Sequence, residues 1–126
     1  MKVLLLALLL PAPALALECQ NPATQVDMTR CAQLEYETAD QDPNRVYKSA
    51  MQGAKSMDAG FPGAQPSFEQ TLRDAQRAWI PFRDKACLAQ SMVYRGGSMQ
   101  SLEYVACLTL MTQRRTQDLF RLSAAR

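Results

Sequence analysis

Apolar residues recur at helical spacing along nearly the whole chain after its first 16 residues. The clearest case is LRDAQRAWIPFRDKAC, residues 72–87, where Leu72, Ala75, Trp79, Phe82 and Ala86 follow one another every three or four positions. That spacing predicts a helix with these residues on its buried stripe, running into Cys87. Ser67 followed three residues later by Gln70 supplies its N-terminal cap, and the pattern continues to about Tyr94. Pro81 lies inside it and removes one amide donor, but the period is unbroken. A kink is therefore expected there, not an end.

Upstream, Thr24 with Asp27 resembles a capping box, and Met28, Ala32, Tyr36, Ala39, Val46, Ala50, Ala54 and Met57 keep the helical period. Asp42-Pro43 interrupts that run as a cap followed by proline at a first helical position, so this helix is expected to be kinked or split near Asp42. The segment DAGFPGAQPS, residues 58–67, has two glycines and two prolines and reads as a connecting loop. Gly96-Gly97 ends the second helix and Ser98 caps the third. Leu102, Val105, Leu108, Met111, Thr112, Leu119 and Leu122 provide the inner face of that last helix. No segment sustains β alternation. The expected fold is all-α: a three-helix up-down-up bundle with kinked helices.

Residues 1–16 have a different pattern. Lys2, the apolar run Val3–Leu10 and the small-x-small triplet Ala14-Leu15-Ala16 match a secretory signal peptide cleaved near Ala16. The run is well short of the ~20 apolar residues of a membrane span. Glu18 before Cys19 is not the small residue that a lipoprotein cleavage site needs. Residues 17–126 are thus expected to form one helical domain in the periplasm or outside the cell.

That location changes the reading of the cysteines. There are four, Cys19, Cys31, Cys87 and Cys107, and an even number in a small exported domain reads as disulfides. Three pairings exist on paper. Cys87 and Cys107 each lie ten residues from Gly97, so a helical hairpin turning there sets them at one height. This favours Cys87 with Cys107 and leaves Cys19 with Cys31.

Charge and chemistry narrow function mainly by exclusion. Loss of Lys2 with the leader lowers the formal charge from +2 to +1, which is no footprint for nucleic acid or anionic lipid. The chain has no histidine, so the commonest general base and metal ligand are missing. Oxidised cysteines neither ligate zinc nor attack substrates. No carboxylate pair or phosphate loop stands out. The expectation is a non-enzyme with no cofactor and no metal.

Gln76, Arg77, Arg83 and Asp84 lie beside the stripe of the second helix and read as a rim of ion pairs and hydrogen bonds to Asp40, Asn44 or Arg115. Trp79 reads as core with an indole N–H that needs a partner. The candidate partner-binding residues are on the hairpin turn, Tyr94-Arg95-Gly96-Gly97-Ser98, with Phe61-Pro62 as an apolar tip on the longer loop.

Taken together, Cys31-Ala32, Ala39-Asp40, Asn44, Tyr47, Ala75-Gln76-Arg77-Ala78-Trp79-Ile80, Phe82-Arg83-Asp84, Cys87, Gly96-Gly97-Ser98, Cys107-Leu108, Thr112, Arg115-Thr116 and Leu119 resemble the N-terminal domain of LprI-type lysozyme inhibitors. Two positions depart from that pattern: Pro43 stands where leucine is usual, and Pro81 falls between the tryptophan and the Arg-Asp pair. The resemblance implies an exported helical domain with lysozyme or another envelope protein as partner, and it suggests inhibition of lysozyme or a related cell-wall hydrolase. It implies no specific inhibitory residues. Asp40, Asn44, Tyr47, Gln76, Arg77, Trp79, Arg83, Asp84, Thr112 and Arg115 belong to this signature and are expected to be structural. The alternative function is a non-inhibitory interaction module of the cell envelope with an exposed apolar patch around Phe61 and the methionines.

Overall fold

A computed structural model describes residues 18–124, so the predicted leader lies outside the described residues. The order of elements is α1 (Gln25–Ala39), α2 (Gln41–Ala59), α3 (Phe68–Ser91), a single 3-10 turn (Met92–Tyr94) and α4 (Met99–Ala124). There is no strand among the described residues. No described helix is long and apolar enough to cross a membrane.

The caps explain where the helices start. Thr24 Oγ1 accepts from the Asp27 amide at 3.1 Å, and its hydroxyl donates to Asp27 Oδ2 at 2.7 Å. Ser67 Oγ accepts from the Gln70 amide at 3.1 Å. The start of α3 has a second anchor that sequence spacing did not reveal. Asp58, in the last turn of α2, accepts from the amides of Phe68 at 2.7 Å and Glu69 at 2.9 Å. One carboxylate thus closes the loop and meets two orphan donors at the positive end of a helix.

The first predicted helix is split, and the break comes two residues before Asp42. Asp40 is the junction; its backbone is helical (φ −76°, ψ −9°) and its side chain makes no cap hydrogen bond. The reason is Pro43. It has no amide to donate and its ring crowds the carbonyl four residues back, that of Ala39, where α1 ends. Within α2, Pro43 occupies the third position, still in the first turn, where a missing N–H is tolerated. The Asp40 carboxylate, released from capping, is engaged elsewhere.

The buried stripe of α3 also needs correcting. Ala75 and Phe82 are exposed, Phe82 to 61%. The covered positions are Leu72, Arg83, Cys87 and Ser91, with Gln76, Trp79 and Ala86 half-buried. The stripe is rotated because α3 packs on α4 and α2 but not on α1. α2 and α4 each pack on all three other helices, and α4 does so most extensively. α4 is thus the centre of the molecule, with α3 packed on it from one side. α3 nevertheless runs unbroken through Pro81.

Two apolar clusters hold the bundle. Ala50, Ala54, Leu72 and Leu119 form one, with Val46, Tyr47, Met51, Phe68 and Leu122 against it. Cys87, Cys107 and Leu108 form the other, with Tyr36, Tyr104 and Met111. Disulfides join Cys87 to Cys107 and Cys19 to Cys31, with Cα atoms 5.4 and 5.5 Å apart. The second ties the N-terminal coil to α1.

Candidate functional site

Between the two clusters lies a polar layer, fixed by helical register. On α3 the residues between Leu72 and Cys87 on the covered face are Gln76, Trp79 and Arg83. On α4 those between Leu108 and Leu119 are Thr112 and Arg115. Arg83 is only 8% exposed. Its Nη1 donates to Asp40 Oδ1 at 3.1 Å and to Thr112 Oγ1 at 3.2 Å, and its Nε to Asp84 Oδ1 at 2.9 Å. Its guanidinium carbon lies 5.1 Å from the Trp79 ring centroid and 5.6 Å from that of Tyr36. Arg115 approaches Trp79 at 5.9 Å and donates from Nε to Gln76 Oε1 at 2.8 Å. The indole is therefore flanked by two cations, a favourable use of its negative π face.

The electrostatics follow from this packing. Burial by itself would lower the Arg83 pKa, but its hydrogen bond to Asp84 and the charges around it hold it above the usual arginine value. Burial lowers that of Arg115, which has only weaker help from Asp118 and Tyr47. One Arg115 nitrogen, Nη2, is buried without a protein acceptor. Burial also raises the Tyr36 phenol, and the Asp40 and Asp84 carboxylates add to this against the opposing pull of Arg83. Guanidiniums of this kind neither give up nor relay protons at physiological pH. The arrangement couples α1, α3 and α4 in one register, and Arg83 makes the side-chain link between α1 and α3 that their backbones lack.

Seven of the ten signature residues meet in this layer: Asp40, Gln76, Trp79, Arg83, Asp84, Thr112 and Arg115. Asn44 stands at its edge, donating to the Asp40 backbone carbonyl at 3.3 Å. Tyr47 packs on the Ala50–Leu119 cluster. Arg77 is on the exposed side of α3, away from the layer. Tyr36 belongs with the seven. The helical period already set it on the inner face of the first helix, and its place one turn before Asp40 puts it at the layer.

The hairpin turn is the exposed counterpart of the layer. Tyr94, Arg95, Gly96, Gly97 and Ser98 all face solvent, beside Val93 at 81% exposure. Gly96 has φ +80°, a left-handed conformation that suits glycine. Its amide donates to Gln100 Oε1 at 3.3 Å, the Gly97 amide to the Tyr94 carbonyl at 2.9 Å, and the Arg95 amide to the Met92 carbonyl at 3.1 Å. Below the turn, Gln90 Nε2 donates to Glu103 Oε1 at 2.6 Å, and the Cys87–Cys107 bridge follows. The turn is thus presented on a braced stem. Sequence spacing did not place the first turns of α1 beside it. Gln25, Val26, Thr29 and Arg30 face Ser98 and Ser101 across a cleft of about 550 Å³. Among the described residues no group of three Asp, Glu, Cys or His side chains is arranged to hold a metal ion.

Comparison with known proteins agrees with the extent of this architecture. The family model described as Lysozyme inhibitor LprI matches residues 18–119. An uncharacterized protein of Rhizobium meliloti (strain 1021) is 36% identical over 109 residues, covering 81% of this chain and 76% of that protein. No solved structure gives a significant match.

Proposed function

We propose, from the premise that this chain belongs to the lysozyme inhibitor LprI family, that it is an exported, non-catalytic helical domain that inhibits lysozyme or a related cell-wall hydrolase. The observation that carries the proposal is the match itself, which runs from the first described residue through the last core leucine of α4, Leu119. The whole bundle, and not a detached motif, is what the family has in common. Export is supported by the leader pattern and by two disulfides, which persist in oxidising compartments. Inhibition is by steric blockage. Hydrolases of this class act through two carboxylates in a cleft. The hairpin turn offers donors to such a cleft, with Arg95 and Ser98 foremost.

The test is turbidity of a wall suspension under lysozyme, with and without the purified, oxidised domain. Slowed lysis at micromolar excess is expected for at least one lysozyme class. Unchanged lysis across c-type, g-type and phage-type enzymes removes the proposal. The alternative, an envelope interaction module without inhibitory activity, draws on the exposure of Phe61 at the α2–α3 loop. It predicts a specific periplasmic partner in a pull-down that Phe61→Ser abolishes.

A further inference from the structure

We infer that the surface meeting the hydrolase is a composite of the hairpin turn and the first turns of α1, complementary to the acidic lip of the partner's cleft. This rests on the inhibitor reading above and names the surface through which it acts.

Four observations converge on this end of the bundle. First, α1 and α4 both begin there, so the positive ends of two helices open on the same cleft. Second, two cations are free. Arg30 lines the cleft and Arg95 lies three residues before Ser98, and among the described residues neither has a carboxylate within 4.0 Å. The neighbouring acids, Asp27 and Glu103, are held by Thr24 and Gln90 and form no ion pair with either arginine. Third, the Gln25 side chain lines the cleft, and its buried Nε2 has no acceptor among the described residues. Fourth, Val26 at 75% exposure and Val93 at 81% give the rim apolar surface to bury around the charges. Apolar anchors with arginine inside a polar rim are the usual make-up of a tight interface.

The occupant follows from charge. Donors, helix N-termini and unpaired guanidiniums select an anionic partner surface, and a glycan hydrolase presents a pair of carboxylates at its cleft. The opposite choice, the groove between α1–α2 and α4, is lined by Glu35 and Asp42 and would repel that pair. The composite also explains what the Cys19–Cys31 bridge contributes: it steadies the start of α1, which forms half of the surface.

The experiment compares half-inhibitory concentrations in the lysis assay, using the lysozyme that the wild type inhibits. The variants are the double charge reversal Arg30→Glu/Arg95→Glu, the single change Val93→Asp on the exposed turn, and Phe120→Ser at the far end of α4 as control. Circular dichroism and thiol titration verify fold and bridges. Charge reversal and Val93→Asp are expected to raise the half-inhibitory concentration more than fivefold while Phe120→Ser changes it less than twofold. If the wild type inhibits and both surface variants remain within fivefold of it, this surface is wrong and the inhibitor reading survives. If the wild type does not inhibit, both fall together.

Discussion

Arg83 shows how a charge comes to sit on the covered face of a helix. Its aliphatic stem occupies the stripe between Leu72 and Cys87, and its five donors have carboxylate, hydroxyl and aromatic neighbours to meet them. Removing one side of such a pair costs about 3–5 kcal/mol when both charges are buried. Here Asp40 and Asp84 are nearly half exposed, so they remain partly solvated and the loss is smaller. Arg83→Ala is expected to lower stability by about 2–3 kcal/mol in urea unfolding, from the same principle discounted for that exposure. Arg83→Lys should recover only part of it, because a lysine cannot fork between Asp40 and Thr112. A midpoint for Arg83→Ala equal to the wild type's would refute this account of the layer. Tyr36 provides a pH signature. Its folded pKa is raised by burial above the ordinary phenol value, so the folded state holds its proton where the unfolded chain has lost it. Its contribution is full below the unfolded pKa, about 10, and is lost as pH rises from there through the folded value. Stability measured from pH 9 to 11 should therefore fall more steeply for the wild type than for Tyr36→Phe.

At the scale of elements, much was legible because helix signals are local. Thr24, Ser67 and the Gly96-Gly97 turn fall where caps and breakers place them, and the equal distances from Gly97 anticipate that Cys107, among the three other cysteines, faces Cys87. What was not legible depends on neighbours. Phe82 reads as core by period alone, yet it is exposed because no helix covers that side of α3. Pro43 acts four residues upstream, so the break falls at Asp40 and not beside the proline. Asp58 caps α3 across a ten-residue separation, which no local pattern encodes. Asp58→Ala should cost about 1–2 kcal/mol, as for a lost N-cap, with unfolding still cooperative. Of the two bridges, Cys87–Cys107 closes the longer segment, 20 residues against 12, and lies inside a core cluster. Replacing both its cysteines by serine should destabilise by about 3 kcal/mol or more on the loop-entropy model, and by more than the same change at Cys19 and Cys31. The reverse order in non-reducing denaturation would contradict the assignment of that core to the bridge.

For the whole molecule, the most recognisable residues and the most accessible ones are different sets. The tryptophan, arginines and aspartates of the signature gather in a layer where they satisfy one another and fix three helices together. The hairpin turn and the start of α1 have arginines without ion pairs and exposed apolar side chains at one end. A rigid bundle that displays one such end suits an inhibitor, which must resist deformation while occupying a cleft. The near-neutral net charge hides this arrangement, because cations at one end are offset in the count by acids elsewhere, such as Glu35 and Asp42. The central claim is inhibition of a wall hydrolase, and the lysis assay with oxidised wild-type protein tests it most directly. A dose-dependent slowing, lost when the two disulfides are reduced, is the predicted result. Lysis that proceeds at the same rate with and without micromolar protein, for every lysozyme class tried, would contradict it.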